Sequence, residues 1–108
     1  MLSTLAGTRL GVWVAHGEGK FLLGTDQNKF TVAAQYFYKE YPGTPGDSDY
    51  SVAALSSRDG RHLAIMPHIE RSLFPWNWGY YPTIRKNDSV SPWIEAFVNA
   101  RNWVKMKL

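Results

Sequence analysis

The sequence predicts a strand-rich α/β chain that ends in a single helix. Three patterns lead there. The run LGVWVAHGEG (10–19) opens with apolar residues on both faces, as a strand buried on both sides requires in a layered α/β protein. Two shorter runs, SVAALSS (51–57) and RHLAIM (61–66), flank Asp59-Gly60, a strong tight-turn signal, and so read as a hairpin. The last stretch, from Ser91 onward, carries apolar residues at helical spacing.

Each element has its own warrant. Val12, Trp13 and Val14 are good strand formers, and Gly17 and Gly19 end the run. KFLL (20–23) continues it past a bend. KFTVAAQYFYKEY (29–41) holds β-branched and aromatic residues and reads as a second strand. YPGTPGDSD (41–49) holds two Pro and two Gly and forms a loop. SLFPWNWGYYP (72–82) is aromatic but too irregular for a long element. Ser91 is placed to cap a helix and Pro92 to open it. From there Trp93, Phe97, Ala100 and Val104 form one stripe beside Ile94 and Val98, which predicts a helix over residues 92–106. One helix is too few to cover both faces of a layered sheet. The chain is therefore either a small α+β domain or part of a larger layered one.

Composition narrows the class. At 108 residues the chain holds one domain at most. Hydrophobic residues make up 44% and charged residues 19%, which excludes a disordered or fibrous chain. The net charge of +3 is scattered, without the basic stripe a nucleic-acid partner requires. Only the tail from Arg101 to Lys107 is locally basic, and that suits a helix C-terminus. The absence of cysteine excludes disulfides, thiolate metal sites and a thiol nucleophile within this chain. No run approaches the ~18 apolar residues of a membrane span, and the N-terminus lacks a signal-peptide pattern. The expectation is a cytoplasmic protein with neither a nucleic-acid nor a membrane partner.

Three histidines invite chemistry. His62 falls at a surface position of the second hairpin strand. His68 and Glu70, in MPHIER (66–71), stand two residues apart just beyond that strand. In an extended segment such residues point the same way. The carboxylate can then accept a hydrogen bond from the imidazole, fixing its tautomer and favouring the protonated ring, as a general base needs. A purely structural His–Glu pair at a strand terminus has the same spacing. His16 and Glu18 repeat it, but a zinc deaminase site built on H-x-E also needs cysteine ligands, so no metal is expected. HGEG is not a phosphate loop, and its glycines suit a tight turn or close approach of backbone to a ligand.

GVWVAHGEG, DGRHLAIMPHIER, PWNWGYYP and SPWIEAFVNARNWV occur in that order. Together they resemble the C-terminal end of the phosphoribosylformylglycinamidine synthase family (FGAM synthases, or FGAR amidotransferases) over residues 8–20 and 51–104, with a looser match between. The resemblance implies that residues 1–108 are the C-terminal portion of a class I glutamine amidotransferase domain, flavodoxin-like in fold. It implies a triad of an upstream cysteine with the His and Glu of a PHPER motif. PHIER (67–71) matches that motif, which assigns the triad His to His68 and the triad Glu to Glu70. His16, Gly17 and Glu18 are implied to help hold the amino-acid end of glutamine. The implied activity is glutaminase action that supplies ammonia to synthetase domains, which use ATP and Mg to turn FGAR into FGAM in purine biosynthesis. The implied partners are glutamine, the upstream glutaminase half and the synthetase domains. This chain itself needs no cofactor.

On that resemblance the nucleophile, its elbow and the oxyanion-hole amides lie upstream of Met1. The chain is then a piece of a longer enzyme, inactive alone, and the shortage of helices has a cause. Two departures stand out. Ile69 replaces the second proline of PHPER, which loosens the backbone between His68 and Glu70. TPGDS (44–48) replaces the family's NPNGS loop. Other classes of function stay open. One is a non-catalytic binding or docking module that uses the aromatic segment 74–82; another is a remnant that docks on synthetase domains through an uncovered sheet.

Overall fold

A computed structural model describes residues 1–15 and 17–108. They fall into two compact units: Met1–Trp13 with His68–Leu108, and Val14–Pro67.

The second unit is built on a three-stranded antiparallel sheet in the order β1-β2-β3. β1 is Thr31–Gln35, β2 is Val52–Ser56 and β3 is Leu63–Ile65. The hairpin expected from Asp59-Gly60 is present: Leu55 pairs with Ala64 and Ser56 with Leu63. Gly60 turns the chain at φ 74°, a conformation that glycine adopts without strain. Asp59 supports the turn by accepting hydrogen bonds from the Ser57 hydroxyl (2.6 Å) and the Arg61 N–H (3.1 Å). β2 lies between the other two strands, and Val52, Ala53, Ala54 and Leu55 are all buried. Val52 and Leu55 cluster with Leu23, and Phe21 packs against them.

The expected 29–41 strand is shorter than its composition implies. Pairing to β2 is irregular on either side of Ala34, and it stops at Gln35. A bulge leaves a residue unpaired and bends the strand, which ends a regular ladder early. The 41–49 segment is a loop with tight turns, as its Pro and Gly content requires. That loop takes the backbone partners that KFLL was expected to find in a strand. The Phe21 N–H donates to Ser48 Oγ at 2.9 Å, and the Leu23 N–H donates to Asp49 Oδ2 at 2.7 Å.

The first unit holds the C-terminal helix, α1, Ile94–Lys107. Pro92 and Trp93 form a tight turn just before it, and the Trp93 N–H donates to Ser91 Oγ (3.3 Å). The regular helix begins two residues after Pro92 with Trp93 at its N-cap, so Ser91 and Pro92 hold the turn before the helix and are not the cap and first helical residue expected. The buried stripe differs from the expected one. Trp93 and Ala96 are buried, with Ala100 and Trp103 half-buried, while Phe97, Val98 and Val104 are exposed. The N-terminal residues decide this. Asn99 Nδ2 donates to the Met1 carbonyl (2.9 Å), and the Thr4 hydroxyl donates to Glu95 Oε2 (2.7 Å). The helix is therefore turned toward Met1–Leu5, and its buried residues follow the i, i+3, i+7, i+10 series from Trp93.

The run from Leu10 is not a strand, and the expectation of burial on both faces is wrong: Trp13 is 55% exposed. A strand needs a ladder partner for its backbone groups. Here indole hydrogen bonds fasten the run instead of a ladder. Trp93 Nε1 donates to the Gly11 carbonyl at 2.8 Å, and Trp13 Nε1 donates to the Asn77 carbonyl.

The sheet is antiparallel throughout, whereas a flavodoxin-like layering rests on parallel strands. The described residues establish the smaller arrangement, a small α/β chain with an antiparallel three-stranded sheet and a C-terminal helix. Among the described residues no helix is long and apolar enough to cross a membrane.

Candidate active site

Beyond β3 the Met66 N–H still bonds the Ala53 carbonyl (3.0 Å), and the chain then enters a 3₁₀ turn over Ile69–Ser72. The Arg71 N–H closes that turn on the His68 carbonyl at 3.1 Å. Ile69 and Ser72 face inward and are buried, while Glu70 is exposed and His68 half-exposed. The alternation of polar and apolar residues in His-Ile-Glu has a direct consequence. Ile69 anchors the turn, and its two neighbours reach solvent together.

His68 and Glu70 meet. His68 Nδ1 lies 3.0 Å from Glu70 Oε1, with the side chains 43% and 55% exposed. An ionised carboxylate only accepts, so Nδ1 carries the proton in this contact. The Nε2 lone pair of the neutral ring is then left to take a proton from elsewhere. The Glu70 carboxyl is held below its ordinary value, first by its own backbone N–H and second by the His68 contact. A carboxyl with a depressed pKa stabilises the fold above its unfolded value, and that contribution is lost as pH falls through the folded value. We expect a ¹³C titration of the Glu70 carboxyl to show a midpoint below that of an ordinary glutamate. In His68→Ala the midpoint should rise only part of the way back, because the stronger donor, its own N–H, remains. A full return would show that the imidazole alone holds the carboxylate.

His16 lies outside the described residues. Gly17 and Glu18 are exposed and belong to the second unit. A Cβ at Gly17 would meet no atom within 4 Å, so packing within this chain does not demand glycine there. His62 is exposed just before β3, and its N–H donates to Ser57 Oγ, which makes it part of the hairpin turn. Among the described residues no group of three or more His, Asp or Glu stands together as a metal site would.

The aromatic segment divides into a packed half and an exposed half. Trp78 donates to the Ser72 carbonyl (2.9 Å) and meets Tyr81 edge-on. Trp76 stacks on Phe74 with ring centres 4.5 Å apart, yet is 74% exposed. A cleft of about 320 Å³ in the first unit is lined by Trp13, Trp78 and Tyr80 with Gly11, Gly79 and Ser72. An open hollow of about 550 Å³ in the second unit is lined by Gln35, Lys39 and residues 47–51. Neither is lined by His68 or Glu70. Sequence reasoning missed the inward anchors, Ile69 and Ser72. The polar–apolar alternation around Ile69 was the available signal.

Residues 1–104 match the CobB/CobQ-like glutamine amidotransferase domain, and the chain belongs to that family. Among curated proteins it is similar to phosphoribosylformylglycinamidine synthases from several organisms. It is 37% identical over 115 residues to the human protein, which covers 95% of this chain and 9% of that one. It is 40% identical over 118 residues to the Drosophila melanogaster protein, with the same coverage. The Dictyostelium discoideum protein is 37% identical over 121 residues. The chain thus spans 9% of the length of these relatives. No solved structure matches it.

Proposed function

We propose that this chain supplies the base and its orienting carboxylate to the glutaminase reaction of a phosphoribosylformylglycinamidine synthase in purine biosynthesis. The observation that carries the reading is the 3.0 Å contact between His68 Nδ1 and Glu70 Oε1, inside the family match. Glu70 keeps the Nδ1 proton in place, so Nε2 of His68 is free to take the proton of a cysteine thiol. The chain has no cysteine, so the thiol comes from another segment. The thiolate attacks the side-chain carbonyl carbon of glutamine, and the imidazolium returns its proton to the leaving nitrogen. Ammonia departs and a thioester remains. Water, deprotonated by His68, then cleaves the thioester to glutamate and regenerates the thiol.

His16, Gly17 and Glu18 hold the amino-acid end of glutamine in this reading, with support from the resemblance alone. The ammonia serves an ATP-dependent conversion of FGAR to FGAM on synthetase domains. These residues need no metal or cofactor of their own, because the nucleophile, base and orienting group are all side chains. The purified 108-residue chain is expected to release no glutamate from glutamine above the uncatalysed rate. Measured release at enzymatic rates would place a nucleophile within this chain and overturn the assignment of the thiol. A binding module that uses the aromatic segment is the second reading, favoured by the exposure of Trp76. It predicts that Trp76→Ala abolishes ligand binding, whereas the glutaminase reading leaves glutamine turnover in the assembled enzyme unchanged.

A further inference from the structure

A single residue, Ile69, joins His68 to Glu70. Ile69 is only 4% exposed, although both of its neighbours reach solvent. The far end of the same turn is also held. Ser72 is 1% exposed, and its carbonyl accepts from Trp78 Nε1 at 2.9 Å and from the Ser91 hydroxyl at 2.5 Å. The Arg71 N–H, bonded to the His68 carbonyl, closes the turn between these anchors. A single 3₁₀ turn has little stability of its own, so its geometry follows from how its ends are fastened.

We infer that Ile69 is a positioning residue, whose buried side chain fastens the near end of the turn and keeps His68 and Glu70 within hydrogen-bonding reach. The inference rests on the proposed glutaminase reading for its purpose, but its geometry stands without it. Truncating Ile69 empties buried space under the turn. The turn then samples other conformations, and the Nδ1–H···carboxylate contact is made for a smaller fraction of the time. The ring loses its reason to keep the proton on Nδ1.

The test reads the His68 tautomer in the intact chain, by long-range ¹H–¹⁵N correlation in alkaline buffer. The Nδ1–H to Nε2–H ratio is expected to fall roughly fivefold in Ile69→Ala, on the scale of one exposed charge-assisted hydrogen bond. In Ile69→Val, which removes one methyl group, it should fall by less, roughly twofold. Val52→Ala, a core truncation in the other unit, should lower the melting temperature and leave the ratio unchanged. An unchanged ratio in folded Ile69→Ala overturns the inference. So does an equal change in Val52→Ala, which would reveal general loosening. If Ile69→Ala does not fold, Ile69→Val decides: a lowered ratio supports the positioning role and an unaltered one overturns it. No substrate is present, so failure here is separate from failure of the glutaminase reading, which is judged on glutamate release in an assembled enzyme.

Discussion

Val52→Asp is expected to leave the chain unfolded at room temperature. Val52 is wholly inaccessible to solvent, and it sits on the central strand with Leu23, Leu55 and Phe21 about it. A carboxylate there loses its hydration among apolar side chains, and an unpaired buried charge costs several kcal/mol even after relaxation. A domain of this size has a total stability on the order of 5–15 kcal/mol, and changes above about 4 kcal/mol come from few mechanisms, of which this is one. The same substitution at Val32 of β1, which is 43% exposed, is the comparison. It should cost about 1 kcal/mol, chiefly through strand propensity. Far-UV circular dichroism and a thermal melt read both variants. A cooperative melt for Val52→Asp within a few degrees of the parent would show that the sheet is not the core described above.

The legible parts of this fold were those settled by neighbours in sequence. Asp59-Gly60 announces a hairpin because the turn is made of its own residues: Asp59 accepts from Ser57 and Arg61, and Gly60 supplies the positive φ. The His68–Glu70 contact is similarly local, two residues apart on a short turn. The misread parts depend on distant partners. The run at Leu10 has strand composition, but its Gly11 carbonyl accepts from the indole of Trp93 and its own Trp13 bonds Asn77. Nothing in a local window reveals a donor 82 residues away. The helix was legible, but its buried stripe was not, because contacts with Met1 and Thr4 turn it and leave Phe97 and Val104 outside. Ile69 shows the same division. Its place between His68 and Glu70 is visible in sequence, whereas its burial belongs to tertiary packing.

His68→Ala, placed in a synthase that carries this chain in place of its own matching segment, is expected to separate two activities. Glutamine-dependent FGAM formation should fall by roughly 10²–10⁴-fold, the usual contribution of a positioned general base. Ammonia-dependent formation should stay within about twofold, because free ammonia bypasses the step that needs the base. Glu70→Gln should follow the same pattern with a smaller loss. An amide can still accept from Nδ1, but it no longer carries the charge that stabilises the imidazolium. The ordering of the two losses matters as much as their size. A His–Glu pair that only braces the chain would lower both activities together through instability, and its two variants would melt early. A catalytic pair lowers one activity and spares the other at unchanged melting temperature. Equal loss of glutamine-dependent and ammonia-dependent rates in both variants would remove His68 from the reaction and leave the 3.0 Å contact as a local brace.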